Sequence, residues 1–440
     1  MIFEIVTTTI MGSIALKAHL SKTGASNDSQ KLNKIFSLSG LNVKDGKQTI
    51  TTQLLKKTHY SWGTEYKYRI PLGKSFDDYK AKFRTIEDGL NNKRQMIKLK
   101  DLKGLQLDKT LPDQLKELNR KKLGARKEVE LSFDGLLCVR VYNEPLPKEV
   151  SFEVGTGWKV IAGQTREKNK KAFLDFETYP HVALGGATRY GKSNFLNSII
   201  VSLLESNPEH VKFHLIDLKG GVELCDYERL NQTVSIAYET EEALEVLKGA
   251  YEDMRAVQQR LKKLGKKKVQ DAGIKERHFI IIDEVGELNP EEAIGKDDKK
   301  LKEACQLYMS KIARLGAGLG FRQILATQYP TGDVIPRQCK QNSDAKICFR
   351  VQNATASRVV LDSEGAELLP QVKGRAIFQT ADKRTIIQTP LLTSEAISKV
   401  IKQHDSGVSK RKDVSNIENE QTTNTATRGN SAIVEKTRFS

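Results

Sequence analysis

The sequence predicts an α/β protein with a mainly parallel sheet, preceded by a small α/β or α+β module. Three observations carry that prediction. From Val150 to Pro390 short apolar runs alternate with helix-length segments, the pattern of strands joined by crossover helices. The apolar run Val182–Leu184 leads into a glycine-rich loop, and NFLNSIIVSLL follows with apolar residues at helical spacing. A second apolar run, HFIIIDE at His278–Glu284, ends in two carboxylates.

Composition sets the limits. The 440 residues leave room for two or three domains, and 38% apolar with 29% charged residues is the balance of a soluble globular protein. A formal net charge of +17 points to nucleic acid or an anionic membrane surface, with a diffuse solvated surface as the alternative. Five dispersed cysteines without a C-x-x-C pair indicate neither a zinc site nor a disulfide framework, which fits a reducing cytoplasm.

In chain order, Ile5–Leu16 is uncharged and largely apolar but only twelve residues long, short of the ~20 that a spanning helix needs. An interfacial anchor, a signal-like segment and a buried element all fit it. Ser21–Gln30 is polar and reads as a linker. Tyr66–Leu72 alternates like a strand. Phe76, Tyr79, Phe83, Ile86 and Leu90 fall on one face of an amphipathic helix. Glu130–Tyr142 reads as two strands about the turn Asp134-Gly135. Within this module Lys93–Lys127 carries twelve Lys/Arg against four Asp/Glu, either a solvated helical face or a contact to phosphates of DNA or lipid.

Pro145-Leu146-Pro147 marks a boundary. Beyond it the expected strands are Val182–Leu184, Lys212–Asp217, His278–Asp283, Arg322–Thr327, Lys346–Val351 and Arg375–Gln379. From Gln403 the chain is polar, and a disordered tail is expected. The expected divisions are 1–30, 31–148, 149–395 and 396–440.

Gly186-Ala187-Thr188-Arg189-Tyr190-Gly191-Lys192-Ser193 is G-x-x-x-x-G-K-S, the phosphate-binding P-loop. Its glycines let the backbone curl so that successive N–H groups face a polyphosphate. Lys192 places a cation near the β- and γ-phosphates, Ser193 offers a hydroxyl to Mg²⁺, and the helix opening at Asn194 adds positive potential. These residues form the expected ATP site. Asp283 suits the Walker B role of holding Mg²⁺, and Glu284 that of a general base on the attacking water. The run Ile324–Gln328 (ILATQ) reads as a strand ending in polar residues, with Gln328 as a candidate γ-phosphate sensor and a strand-end cap as the alternative.

The order of these segments carries a resemblance. The P-loop, LIDLKGGVEL (Leu215–Leu224), the Walker B strand, ILATQYPTGDVIP (Ile324–Pro336) and FRVQNATASRVVLDSEGAELL (Phe349–Leu369) together resemble the motor domain of FtsK/SpoIIIE-type DNA translocases. The resemblance covers about Val182–Gln379. It implies a RecA-like P-loop ATPase core, DNA as substrate and a homohexameric ring driven by ATP. No Pro/Gln-rich linker, winged-helix module or four-helix anchor is recognisable. Together with FDGLLCVRVYNEPLP at the end of the first module, that directs the expectation to compact FtsK-like coupling ATPases of Gram-positive conjugative plasmids and integrative elements. Such proteins work from the cytoplasm with a relaxase and membrane channel proteins, and here Ile5–Leu16 is the candidate membrane contact.

Shared active sites take an arginine from the neighbouring subunit, and Arg314, Arg350 and Arg358 are the candidates, each with a structural salt bridge as the alternative. Lys262, Lys263, Lys266, Lys267 and Lys268 cluster at the end of the amphipathic segment Leu244–Leu264. They suit sequence-independent contact to DNA phosphates, or simple pairing with the helix dipole. Two other readings stay open: a type VII-like protein-secretion ATPase, and a replication or partition factor that uses ATP as a switch.

Overall fold

The computed structural model describes residues 28–92, 126–167, 170–328, 334–408 and 410–411. The expectations for Ile5–Leu16 and for most of Lys93–Lys127 lie outside the described residues. The chain forms two compact units that divide between Leu146 and Pro147, with 166–167 grouped with the first.

The first unit is α+β. Helix α1 (Asp28–Leu38) and the short hairpin β1 (Val43–Asp45) and β2 (Gln48–Ile50) lead into β3 (Gln53–Tyr60) and β4 (Gly63–Arg69). Helices α2 (Phe76–Ala81) and α3 (Phe83–Asn91) follow, then β5 (Glu128–Asp134) and β6 (Leu136–Tyr142). Strands β3-β4-β6-β5 form one antiparallel sheet. Cross-strand partners Tyr66 and Val139, Tyr68 and Leu137, and Val129 and Val141 are all buried. They share a core with Leu32 and Phe36 of α1 and with Tyr79, Ile86 and Leu90 of the next two helices.

Two expectations are corrected here. The linker read at Ser21–Gln30 gives way to helix at Asp28, because buried Leu32 and Phe36 anchor α1 and Lys127 holds the Asp28 carboxylate at 2.6 Å. The single helix read over Phe76–Leu90 is broken at Lys82, whose φ −99° and ψ 11° leave helical geometry. The apolar periodicity survives the break, since Tyr79, Ile86 and Leu90 still share one core.

The second unit holds a ten-stranded sheet. It is built from β7 (Lys159–Thr165), β8 (Lys171–Asp175), β9 (His181–Gly185), β10 (Val211–Ile216), β11 (Thr233–Ala237), β12 (Arg277–Ile282), β13 (Phe321–Thr327), β14 (Ala345–Phe349), β15 (Arg375–Gln379) and β16 (Arg384–Gln388). The order is β11-β10-β12-β13-β9-β14-β15-β16-β7-β8. The six strands from β11 to β14 are mutually parallel, and the remaining pairings are antiparallel.

Helices cover both faces, which is why the central strands read as unbroken apolar runs. On one face α4 (Lys192–Ser206) and α9 (Ser394–His404) meet Val182, Leu184, Phe279, Ile281, Ile324 and Ala326. On the other, α5 (Thr240–Lys263) and α6 (Lys296–Leu319) meet Ala183, Ile280, Ile282 and Leu325. Full burial of such a side chain stabilises by roughly 1.5–3 kcal/mol.

Strands β7, β8, β11 and β16 were not expected. Thr233–Ala237 is interrupted by Ser235 and Arg384–Gln388 holds only Ile386-Ile387 between polar residues, so neither shows the apolar run of a central strand, whereas Val160–Ala162 and Ala172–Leu174 are runs as long as Val182–Leu184 that were passed over. The tail is corrected as well. Helix α9 continues into the stretch expected to be disordered, and Ala396, Ile397, Val400 and Ile401 pack on the core. Beyond it Asp405 bridges Leu230, and Arg411 pairs with Glu242 at 2.8 Å. Among the described residues no helix is long and apolar enough to cross a membrane.

Candidate nucleotide site

Parallel strands deliver their carboxyl ends to one edge, where ligands of such sheets bind. Here β13 lies between β9 and β12. That order brings the P-loop after β9, Thr327 and Gln328 at the end of β13, and Asp283 and Glu284 after β12 to adjacent positions. Asp217, at the end of β10, closes the row.

The loop is shaped by packing as well as by turn geometry. A Cβ on Gly186 would lie 2.6 Å from Phe349 Cβ, and one on Gly185 would lie 2.2 Å from Val360 Cγ2. Gly191 sits at φ 109° and Arg189 at φ 74°, both in the left-handed region. The N–H groups of Gly186 and Ala187 are committed to the carbonyls of Thr327 and Arg350, at 3.2 and 3.0 Å. The phosphate cradle therefore falls to residues 188–193, where α4 begins.

Lys192 is buried and donates to Asp283 twice, to Oδ1 at 2.5 Å and to the main-chain oxygen at 2.8 Å. Ser193 Oγ donates to Glu223 Oε1 at 2.8 Å. Glu284 Oε2 accepts from Gln328 N at 2.8 Å and pairs with Lys219 at 3.0 Å. The Gln328 side chain accepts from Thr188 Oγ1 at 3.1 Å, so the end of β13 ties the P-loop to Glu284. Asp283 Oδ2, Glu284 Oε1 and Thr327 Oγ1 are buried without a hydrogen-bond partner. Buried polar atoms are rarely left so, and this set is suited to a metal-bound polyphosphate and a water molecule.

Three residues of the site were not assigned from sequence. Asp217 accepts backbone N–H groups of Lys219, Glu223 and Leu224 at 3.2, 2.8 and 2.9 Å, folding LKGGVEL back over the edge. That fold carries Lys219 to Glu284 and Glu223 to Ser193. The signal was present in LIDLKGGVEL, whose Gly220 and Gly221 both take positive φ.

Other predicted residues fall elsewhere. The Asn194 side chain is spent on the backbone of Leu392, donating to its carbonyl at 2.6 Å and accepting its N–H at 3.2 Å, so it links α4 to the start of α9 rather than facing a phosphate. Tyr190 packs against the core and accepts from Gly374 N at 2.9 Å. Arg350 follows β14 beside the P-loop and donates to the Leu369 carbonyl. Arg358 is exposed on α8 (Ala354–Leu361) and pairs with Glu364. Arg314 is exposed in the last third of α6, toward the amino edge of the sheet.

Lys262, Lys263, Lys266, Lys267 and Lys268 are all exposed where α5 ends. Val269 N donates to the Gly318 carbonyl at 3.0 Å, which fixes this loop at the amino edge, opposite the P-loop.

Comparison with known proteins finds a family match over part of the chain. Residues 158–287 match the FtsK/SpoIIIE family, so that segment is similar to an FtsK/SpoIIIE domain, and the fold is that of a P-loop ATPase. The protein named DNA translocase FtsK of Leptospira interrogans is 32% identical over 273 residues, 58% of this chain and 27% of that protein. The chain spans about a quarter to a third of the length of the curated relatives it matches. Among solved structures, the pCW3 conjugation coupling protein TcpA, in a monomer form with ATPγS, superposes with a TM-score of 0.56 at 20% identity, covering 86% of this chain and 99% of that one. EssC (ATPases 2 and 3) of Geobacillus thermodenitrificans gives a TM-score of 0.50 at 17% identity, covering 59% of this chain and 51% of that one. Both likenesses concern the fold.

Proposed function

We propose that this chain hydrolyses ATP to move DNA, as the coupling ATPase of a conjugative element. The observation that carries the reading is one constellation at the carboxyl edge: Lys192 and Ser193 from the P-loop, and Asp283 and Glu284 following β12, each of these carboxylates with one buried oxygen left without a hydrogen-bond partner. Relatives named as DNA translocases and the fold shared with a conjugation coupling protein support the choice of substrate.

Ser193 Oγ and Asp283 Oδ2 are the residues that would hold Mg²⁺. When bound, that ion neutralises charge on the β- and γ-phosphate oxygens. Lys192 exchanges its bond to Asp283 Oδ1 for the phosphates. Glu284 keeps Oε2 on Lys219 and Gln328 N, which fixes its orientation, and offers Oε1 to the attacking water as general base. Gln328, held to Thr188, senses whether the loop is filled.

A homohexameric ring would complete each site with an arginine from the neighbour, and Arg358, exposed on α8, suits that role better than Arg350, which lies beside its own P-loop. DNA would be held through phosphates without base readout, with Lys262, Lys263, Lys266, Lys267 and Lys268 among the contacts. Working from the cytoplasm, such a motor would receive DNA from a relaxase and pass it to membrane channel proteins, with Ile5–Leu16 as the candidate membrane contact.

The test is the ATPase rate of the purified chain with and without duplex DNA. DNA is expected to stimulate hydrolysis, and Glu284→Gln to lower the rate on the order of 10²–10⁴-fold while nucleotide still binds. A wild-type rate in Glu284→Gln would remove the general-base assignment. A rate indifferent to DNA would remove the translocase reading.

A further inference from the structure

Away from the nucleotide edge, three neighbouring strands present polar side chains on the face covered by α5. Ser235 of β11 pairs with His214 of β10, and His214 pairs with Ile280 of β12, which places His278 diagonally across from His214 on the same face. Both histidines are buried. His214 Nε2 and His278 Nδ1 face each other at 3.0 Å. The two outward nitrogens are each held by an oxygen: Ser235 Oγ lies 3.3 Å from His214 Nδ1, and Glu276 Oε1 lies 3.0 Å from His278 Nε2. Asp253 of α5 closes the group, with one ligand atom from each of His214, His278 and Asp253 lying within 4.8 Å of the others.

We infer that His214, His278 and Asp253 form a binding site for a divalent transition-metal ion of the zinc class, which clamps α5 onto the sheet. The two facing nitrogens stand close to the separation a tetrahedral zinc site requires, about 3.3 Å for Zn–N bonds of 2.0–2.1 Å. Ring orientation is already fixed from behind by Ser235 and Glu276, the arrangement that surrounds metal-bound histidines. Both rings can turn neutral nitrogens inward at once. The proton between them moves to His214 Nδ1, which then donates to Ser235 Oγ, while His278 Nε2–H donates to Glu276. A cavity of about 270 Å³, lined by His214, Ser235, Glu252 and Asp253 among others, leads to the site and leaves room for water as the fourth ligand. A paired-imidazole core without an ion would need neither the open cavity nor a carboxylate within 4.8 Å of the pair.

The test uses the full chain, stripped with chelator and free of nucleotide, titrated with Co²⁺ and then Zn²⁺. One equivalent of Co²⁺ is expected to give visible bands of tetrahedral intensity, which Zn²⁺ then bleaches, and Zn²⁺ is expected to raise Tm by several degrees. Asp253→Asn and Glu276→Gln change exposed side chains and should leave the fold intact. Glu276→Gln is expected to weaken Co²⁺ binding about 10–100-fold, and Asp253→Asn at least as much. Absence of tetrahedral bands in the wild-type chain overturns the site. So does an affinity that neither substitution alters, because the ion would then bind elsewhere. ATPase activity does not enter the readout, so the two proposals fail separately.

Discussion

Lys192 has two tasks, and its substitution reports on both. It neutralises Asp283, with side-chain exposures of only 2% and 0% for the pair, and it is the cation offered to phosphate. Lys192→Ala should therefore abolish turnover and also destabilise the chain by roughly 3–5 kcal/mol, because Asp283 is left charged and buried. Lys192→Ala/Asp283→Asn should recover most of the stability and none of the activity, which thermal melts beside ATPase assays would check. If the double variant melts as low as the single one, the pair is not what holds this edge. Glu177 is the second informative residue. Burial alone would lift its carboxyl, but hydrogen bonds from Arg277 and Gln270 and the charges of Arg322 and Arg277 hold it at about 2. A carboxylate depressed in the fold contributes stability above its unfolded value and loses it as pH falls. The drop from 4.5 to about 2 corresponds to on the order of 3 kcal/mol at neutral pH, lost between about pH 4.5 and 2. Glu177→Gln should lower Tm at pH 7 and narrow the gap to wild type as pH approaches 2. An equal Tm at pH 7 would show that Arg277 and Arg322 are satisfied without it.

At the scale of elements, what the sequence made legible follows from burial. Strands β9, β10, β12 and β13 are covered on both faces, so VAL, FHLI, FIII and ILAT appear as apolar runs at the right distance from the P-loop. Strand β16 lies toward the antiparallel side and holds only two apolar residues between polar ones, while β8 carries AFL, a run as long as VAL, but without a chemical motif beside it to mark it as a strand. The P-loop and the D-E pair could be read because their chemistry restricts residue type. Lys219 and Glu223 could not, because they reach the site through a fold created by Asp217 accepting three backbone N–H groups. Asn194 misled for the converse reason: its position beside Ser193 suited a phosphate, while its partner Leu392 lies 198 residues away in sequence. The lysine loop after α5 carries its own prediction. Log Kd for duplex DNA should vary linearly with log salt, and each lysine of the five that sits on a phosphate contributes about 0.9 to the slope. Neutralising all five should flatten that slope. An unchanged slope would move the contact to another surface, Lys93–Lys127 being the densest basic stretch left.

For the whole molecule, the paired edges of the parallel sheet are the organising fact: nucleotide chemistry at the carboxyl edge and exposed lysines at the amino edge. A head-to-tail contact that closes into a ring would align such lysines along a channel where their potentials add on a DNA backbone. A shared active site makes activity cooperative in subunits, so mixing in Arg358→Ala chains should depress ATPase more than in proportion to their fraction. Strict proportionality for Arg314→Ala, Arg350→Ala and Arg358→Ala alike would argue against shared sites. The most direct measurement of translocation is displacement of a third strand from a duplex by the moving chain. With ATP the wild type should strip the third strand from linear duplexes at a delay that grows with distance, while Glu284→Gln should bind the same DNA and strip none. Hydrolysis stimulated by DNA with no displacement at any distance would contradict the account.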